Sequence, residues 1–207
     1  MEQQATVWVV DDDKAVLESL QWLMESVGYT VKTFTKAMDF LSTYEPIRIG
    51  CLVVDVRMQG MTGLELQESM GKRGIKIPVI FITGHGDVSM AVRAMKAGAM
   101  EFLSKPVNNQ ILLEAVNKAI LKDIEIKKQS KQNEHAIALV KTLTPREFEV
   151  MGLMVAGKLN KIIAYELGIS LSTVELHRAK VMKKIKVRSL AQLVRLVMAN
   201  NLLSLKQ

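Results

Sequence analysis

Five short runs rich in β-branched and apolar residues recur through the first half of the chain: Thr6–Val10, Thr30–Thr33, Cys51–Val54, Val79–Ile82 and Met100–Leu103. Segments of helical periodicity separate them, and this alternation constrains the fold more than any other feature. After the first run, Val16, Leu17, Leu20, Leu23, Met24 and Val27 repeat at helical spacing until Gly28. After the fourth, Met90, Ala91, Ala94, Met95 and Ala97 do so ahead of Gly98. Strands this continuously apolar must be covered on both faces, which predicts a doubly wound α/β fold, a five-stranded parallel sheet between layers of helices.

Ligands of such sheets sit beyond the carboxyl ends of the strands. Asp11, Asp12, Asp55, Thr83 and Lys105 all fall there. By themselves Asp11, Asp12 and Asp13 read as caps of the first helix, with Asp13 the best placed. With Asp55, Thr83 and Lys105 added, the set holds what is needed to bind a hard divalent cation, Mg²⁺ or Mn²⁺, and to accept a phosphoryl group. Cys51, the single cysteine, rules out an internal disulfide and reads as a packing residue of its apolar run.

The second half has a different character. Residues 1–125 carry 13 Lys+Arg against 16 Asp+Glu, a net charge of −3, whereas residues 126–207 carry 15 against 5, a net of +10. A basic lobe points to a polyanionic partner, with nucleic acid ahead of a membrane. A fifth helix from about Asn109 to Ile126 leads into the polar run Lys127–Glu134, which has no core-facing stripe and reads as a linker, with helix left open as its conformation. Beyond it every predicted element is helical. Thr144-Pro145-Arg146-Glu147 is a capping box with proline at the first helical position. Helices follow from about Lys161 to Leu167, Leu171 to Ile185 and Leu190 to Ala199. Ala164, Leu167, Ile169, Val174, Leu176, Val181 and Ile185 are expected to form the small core of the pair of helices around Gly168. The expected organisation is a first domain over residues 5–122, a linker over 123–141 and an all-α domain over 142–207. The N-terminus lacks the pattern of a signal peptide, and the cytoplasm is the expected compartment.

The five polar residues and their strand positions resemble the receiver domain of two-component response regulators, which has a flavodoxin-like fold. Phe81-Ile82-Thr83-Gly84-His85-Gly86-Asp87-Val88-Ser89-Met90-Ala91-Val92, continued by Met95-Lys96-Ala97-Gly98-Ala99, is similar to the FixJ subfamily. The resemblance implies that Asp55 accepts a phosphoryl group from a sensor histidine kinase, and that Asp11, Asp12, Asp55 and the main-chain carbonyl of Arg57 hold the metal. It further implies that Thr83 and Lys105 contact phosphoryl oxygens, that Phe102 is the switch aromatic and that the Lys105-Pro106 bond is cis. His85 and Arg57 would flank the phosphoryl pocket, and Gly84 would leave it open. Where the family usually has proline after the methionine of the third-strand loop, this chain has Gln59 after Met58.

Leu143-Thr144-Pro145-Arg146-Glu147, Asn160-Lys161-Ile162-Ile163-Ala164, Leu167-Gly168-Ile169-Ser170 and Thr173-Val174-Glu175-Leu176-His177-Arg178 resemble the LuxR-type helix-turn-helix. Its third helix would offer Ser172, Thr173, Glu175, Arg178, Lys180 and Lys183 to the major groove, with Lys161 on a phosphate. His177 reads as a packing or phosphate-contacting residue, since no second metal ligand lies at useful spacing. The implied protein is a transcription factor that dimerises when phosphorylated, with RNA polymerase as a further partner and no membrane association. Two rivals remain at the level of sequence: a metal-dependent phosphatase, and a constitutive DNA-binding protein whose first domain only dimerises.

Overall fold

The structure is a computed structural model and describes residues 5–84 and 88–204. These divide into two compact units, with the division between Lys127 and Lys128.

In the first unit the strands are β1 (Thr6–Val10), β2 (Thr30–Phe34), β3 (Gly50–Asp55), β4 (Val79–Thr83) and β5 (Glu101–Ser104), and the helices are α1 (Lys14–Ser26), α2 (Ala37–Thr43), α3 (Gly63–Lys72) and α4 (Val88–Lys96). A fifth helix, α5 (Asn109–Val140), begins in this unit. All strand pairs are parallel and their order is β2-β1-β3-β4-β5. β1, β3 and β4 are buried throughout, as their apolar runs require, while the edge strands β2 and β5 are half-buried or partly exposed.

The strand period of two divides the core into two layers. Trp8, Val10, Leu52, Val54 and Phe81 face one way and pack with Phe40, Leu41, Leu64, Leu66, Met70 and Ala94 of α2, α3 and α4. Val7, Val9, Cys51, Val53, Ile80 and Ile82 face the other and meet Leu17, Leu20, Met24, Leu112, Val116 and Ala119 of α1 and α5. Burial pushes the Cys51 thiol up, consistent with a packing role.

The second unit contains the end of α5 together with α6 (Pro145–Val155), α7 (Asn160–Leu167), α8 (Leu171–Ile185), α9 (Leu190–Ala199) and a short 3₁₀ turn, Leu202–Ser204. Both halves of the capping box form at the start of α6: the Glu147 amide donates to the Thr144 hydroxyl, and the Thr144 amide donates to the Glu147 carboxylate. Gly168 closes α7 at φ 62°, a left-handed conformation that glycine adopts at little cost.

Two expectations change. The fifth helix does not end near Ile126 but runs to Val140, and Ala136 and Val140 are buried in the core of the helical unit. The polar run Lys127–Glu134 hid this, because the apolar positions that anchor the last turns come only after it. Leu176 is not a core residue: it is 54% exposed. The buried seam of α8 is Val174, Val181 and Ile185, spaced by seven and four, and Leu176 is turned about 200° from Val174. Ile163 fills the core instead.

Candidate functional site

Strand register brings the polar residues to one edge of the sheet. Val10 pairs with Val54, so Asp11 and Asp55 follow at the same level. Asp55 pairs with Ile82 and Thr83 with Ser104, so Thr83 and Lys105 each stand one residue further on. The Lys105 amide donates to the Thr83 carbonyl at 2.7 Å. β1 and β3 are also where the strand order reverses, the crevice where ligands of open α/β sheets bind.

Three of the residues meet directly. Lys105 Nζ lies 2.7 Å from Asp11 Oδ2 and 2.8 Å from Asp55 Oδ1. Asp11 and Asp55 are buried, whereas the lysine is partly open to solvent. Burial raises the Asp55 carboxyl above the usual aspartate range despite the Lys105 ammonium beside it. Lys105, which burial alone would push down, is held above the ordinary lysine value by its hydrogen bonds to Asp11 and Asp55. Asp11, Asp12 and Asp13 also accept from main-chain amides. Asp11 Oδ1 accepts from the Asp13 amide at 2.9 Å, and Asp13 caps α1 by accepting from Ala15. Asp12 is exposed and its Oδ2 accepts from the Gln59 amide at 3.0 Å.

Thr83 is buried at the end of β4. Phe102 is half-buried against the core, its ring 6.2 Å from that of Phe81. The Arg57 amide donates to Asp55 Oδ2 at 2.6 Å, while its side chain is exposed. Gly84 is exposed, and among the described residues nothing lies within 4 Å of the side chain it lacks. The Lys105-Pro106 bond is cis. His85 lies outside the described residues.

Among the described residues no three His, Cys, Asp or Glu side chains converge into a metal cage. The donor set nevertheless fits Mg²⁺, which uses one or two carboxylates and keeps several waters. All its donors are hard oxygens, and buried Asp11 and Asp55 already converge on one cation, the Lys105 ammonium.

Sequence reasoning missed two features here. Gly63, the first residue of α3, has no room for a side chain: a Cβ there would stand 2.3 Å from the Asp55 carbonyl oxygen. The capping box of Thr62 and Glu65 marks that helix start in the sequence, but nothing local reveals the close approach. The Gln59 amide is the other, a main-chain group that no residue type announces.

In the helical unit Lys161 is exposed on the first turn of α7, and Ser172, Glu175, Lys180 and Lys183 are exposed on α8. The hydroxyls of Ser172 and Thr173 each lie 2.8 Å from that of the cap residue Ser170. Arg178 is half-buried and lines a cleft of about 600 Å³ with Lys158, Lys161 and Glu175. Lys184, beside Lys183, turns inward: its Nζ lies 2.6 Å from buried Glu147 and donates to the Thr142 carbonyl. His177 is half-buried.

A buried acid bridged by lysine at the carboxyl edge of a 2-1-3-4-5 sheet, with a separate helix-turn-helix unit, defines a receiver joined to a DNA-binding module. Comparison with known proteins agrees. Residues 7–117 match the response regulator receiver domain, and residues 141–197 match the LuxR family of bacterial regulatory proteins. The chain belongs to the response regulators of transcription that join these two domains. It is 43% identical to transcriptional regulatory protein TdiR of Thauera aromatica over 94% of this chain and 86% of that one. It is 44% identical to FixJ of Rhizobium meliloti over 94% and 95%. Among solved structures, the response regulator StyR aligns with a TM-score of 0.83 and 47% identity over 94% of this chain and 98% of that one.

Proposed function

We propose that Asp55 is the phosphoacceptor of a sensor histidine kinase and that its modification controls promoter binding by the helical unit. The observation that carries this reading is the pairing of a buried carboxylate with an ammonium at 2.8 Å on the ligand-binding edge of the sheet. Asp55 would attack the phosphorus of a phosphohistidine; a P–O bond forms, the P–N bond breaks and the imidazole leaves with the electron pair. Lys105 and Thr83 would donate to phosphoryl oxygens in the product, and the Arg57 amide, which donates to Asp55 Oδ2, would orient the acceptor carboxylate. Asp11, Asp12, Asp55 and the Arg57 carbonyl would hold Mg²⁺ or Mn²⁺. The bound cation would neutralise charge on the transferring group.

A family of transcriptional regulators favours a switch over a turnover enzyme. Phe102 would report the state of Thr83 to the face made by α4 and β5, and the phosphorylated chain would dimerise through that face. Two copies on two half-sites then bind through effective concentration. Lys161, Ser172, Thr173, Glu175, Arg178, Lys180 and Lys183 are the proposed DNA contacts. The cytoplasm is the compartment this reading requires; among the described residues no helix is long and apolar enough to cross a membrane. Incubation with a small phosphodonor and Mg²⁺ should add one phosphoryl group to the wild-type mass and none to that of Asp55→Asn. Equal labelling of both would refute the assignment.

A further inference from the structure

α4 is held to the sheet more lightly than its neighbours. It buries one residue, Ala94, where α1 buries three and α3 four, and Met90 adds a half-buried contact. On the opposite side Val88, Val92 and Met95, spaced by four and three, form an exposed apolar stripe. A helix with so little apolar anchorage depends on polar ties for its placement, and two of them come from α3. Gln67 Nε2 donates to the Ala97 carbonyl at 3.2 Å and reaches the Ala94 carbonyl at 3.5 Å, and Arg93 pairs with Glu68 at 2.6 Å.

The two ties are unequal. Arg93 and Glu68 are exposed, and such a pair contributes little. Gln67 is half-buried and acts at a helix end, where the last carbonyls have no partner within the helix. α4 closes with the Gly98 amide donating to the Met95 carbonyl and the Ala99 amide to that of Ala94, Gly98 standing at φ 90°. The Ala97 carbonyl falls outside that motif, and Gln67 caps it from the neighbouring helix. The amide cannot turn over, because its oxygen would then face the same carbonyls. α3 is itself fixed at its start, where Gly63 lies against the Asp55 main chain. A continuous path therefore runs from the strand that carries Asp55, through α3 and Gln67, to the end of α4.

We infer that Gln67 is a positioning residue for the dimerising face: by capping α4 from α3 it fixes the helix that presents Val88, Val92 and Met95, and the phosphorylated chain pairs tightly only with that cap in place. The inference rests on the phosphoacceptor and dimerisation readings above. Gln67→Met removes the amide donor at nearly constant size. The intact wild type and variant are treated with a small phosphodonor and Mg²⁺, weighed by mass spectrometry, and titrated for self-association by light scattering. Both are expected to take up one phosphoryl group, and the phosphorylated variant is expected to dimerise about tenfold more weakly, on the order of one lost hydrogen bond. A role in stability alone would leave the self-association of the folded, labelled chain unchanged. Glu68→Gln, which breaks only the exposed pair, is expected to dimerise like wild type.

If wild type takes no label, the phosphoacceptor reading fails, and if labelled wild type stays monomeric, the dimerisation reading fails; either takes this inference with it. If labelled wild type dimerises and Gln67→Met matches it, only the role of Gln67 is overturned. Equal weakening by Glu68→Gln would also overturn it, since any loosening of α4 from α3 would then suffice. Side-chain amide protons of Gln67 that exchange in wild type as fast as those of free glutamine overturn it as well, whether or not the variant folds.

Discussion

A single missing side chain sets the approach of α3 to Asp55, the proposed phosphoacceptor. Gly63 lies so close to the Asp55 main chain that a Cβ at 2.3 Å from its carbonyl oxygen cannot be accommodated without moving backbone. The next nearest atom, at 3.0 Å, is on the ring of Phe81, itself packed in the core. Gly63→Ala is therefore expected to cost about 1–3 kcal/mol, the usual range for overpacking. It should also slow labelling of Asp55 by a small phosphodonor, because the displaced backbone carries the acceptor. Urea denaturation and labelling rate, measured on the same preparation, check the two effects together. A variant as stable as wild type would show that the helix start moves freely. Sequence reading reached the polar side chains of the site because their residue types announce their chemistry. It did not reach Gly63 or the Gln59 amide, whose roles come from backbone proximity.

At the scale of elements, α8 joins α6 through a shared apolar core and through one ion pair that the sequence does not announce as a pair. Glu147 is buried, closes the capping box and pairs with Lys184. Although burial would raise its carboxyl, hydrogen bonds from Lys184 and the Thr144 amide hold it below the usual glutamate range. A lowered folded-state value means that the unfolded chain binds the proton more readily. The stabilisation is complete above the ordinary glutamate value and is lost as pH falls through the lowered one. Glu147→Gln is expected to destabilise the helical unit by about 1–2 kcal/mol near neutrality, since Lys184 is partly exposed and the pair is screened. That deficit should shrink towards zero in acid, as followed by helical circular dichroism during denaturation. On the outward side of α8, Lys183→Ala should weaken binding to all DNA sequences alike and flatten the salt dependence. Arg178→Ala should cost specific binding about 1–3 kcal/mol if the residue reads a base. Titrations of specific and random duplexes at several salt concentrations separate the two. If neither variant differs from wild type, α8 is not the contacting helix.

For the whole molecule the imbalance of charge is the controlling fact. A first half with a net of −3 and a second with +10 suit a chain in which the receiver restrains a DNA-binding unit until it is phosphorylated. The fragment 128–207 is expected to bind DNA more tightly than the intact unphosphorylated protein at the same salt concentration. The fragment starts at Lys128 because Ala136 and Val140 belong to the core of the helical unit, so one starting at Lys141 would leave that core incomplete. Equal affinity would exclude restraint by the receiver. Activation would then rest on dimerisation alone, read as a phosphorylation-dependent rise in mass by light scattering.

The sheet, the helices of both units and the polar residues at the strand ends were legible in the sequence because each follows from local chemistry. Apolar runs need cover on both faces, capping residues stop helices, and acids at the end of a buried strand need a cation. Three matters were decided only by tertiary structure. Strand order and register depend on pairing between distant segments, and they alone bring Asp11 and Asp55 onto the same lysine. The length of α5 was settled by the burial of Ala136 and Val140, which outweighs the polar run before them. The outward turn of Leu176 followed from the phase that Val174, Val181 and Ile185 impose on α8. In each case a contact across the fold selected one of several conformations that the local sequence permits.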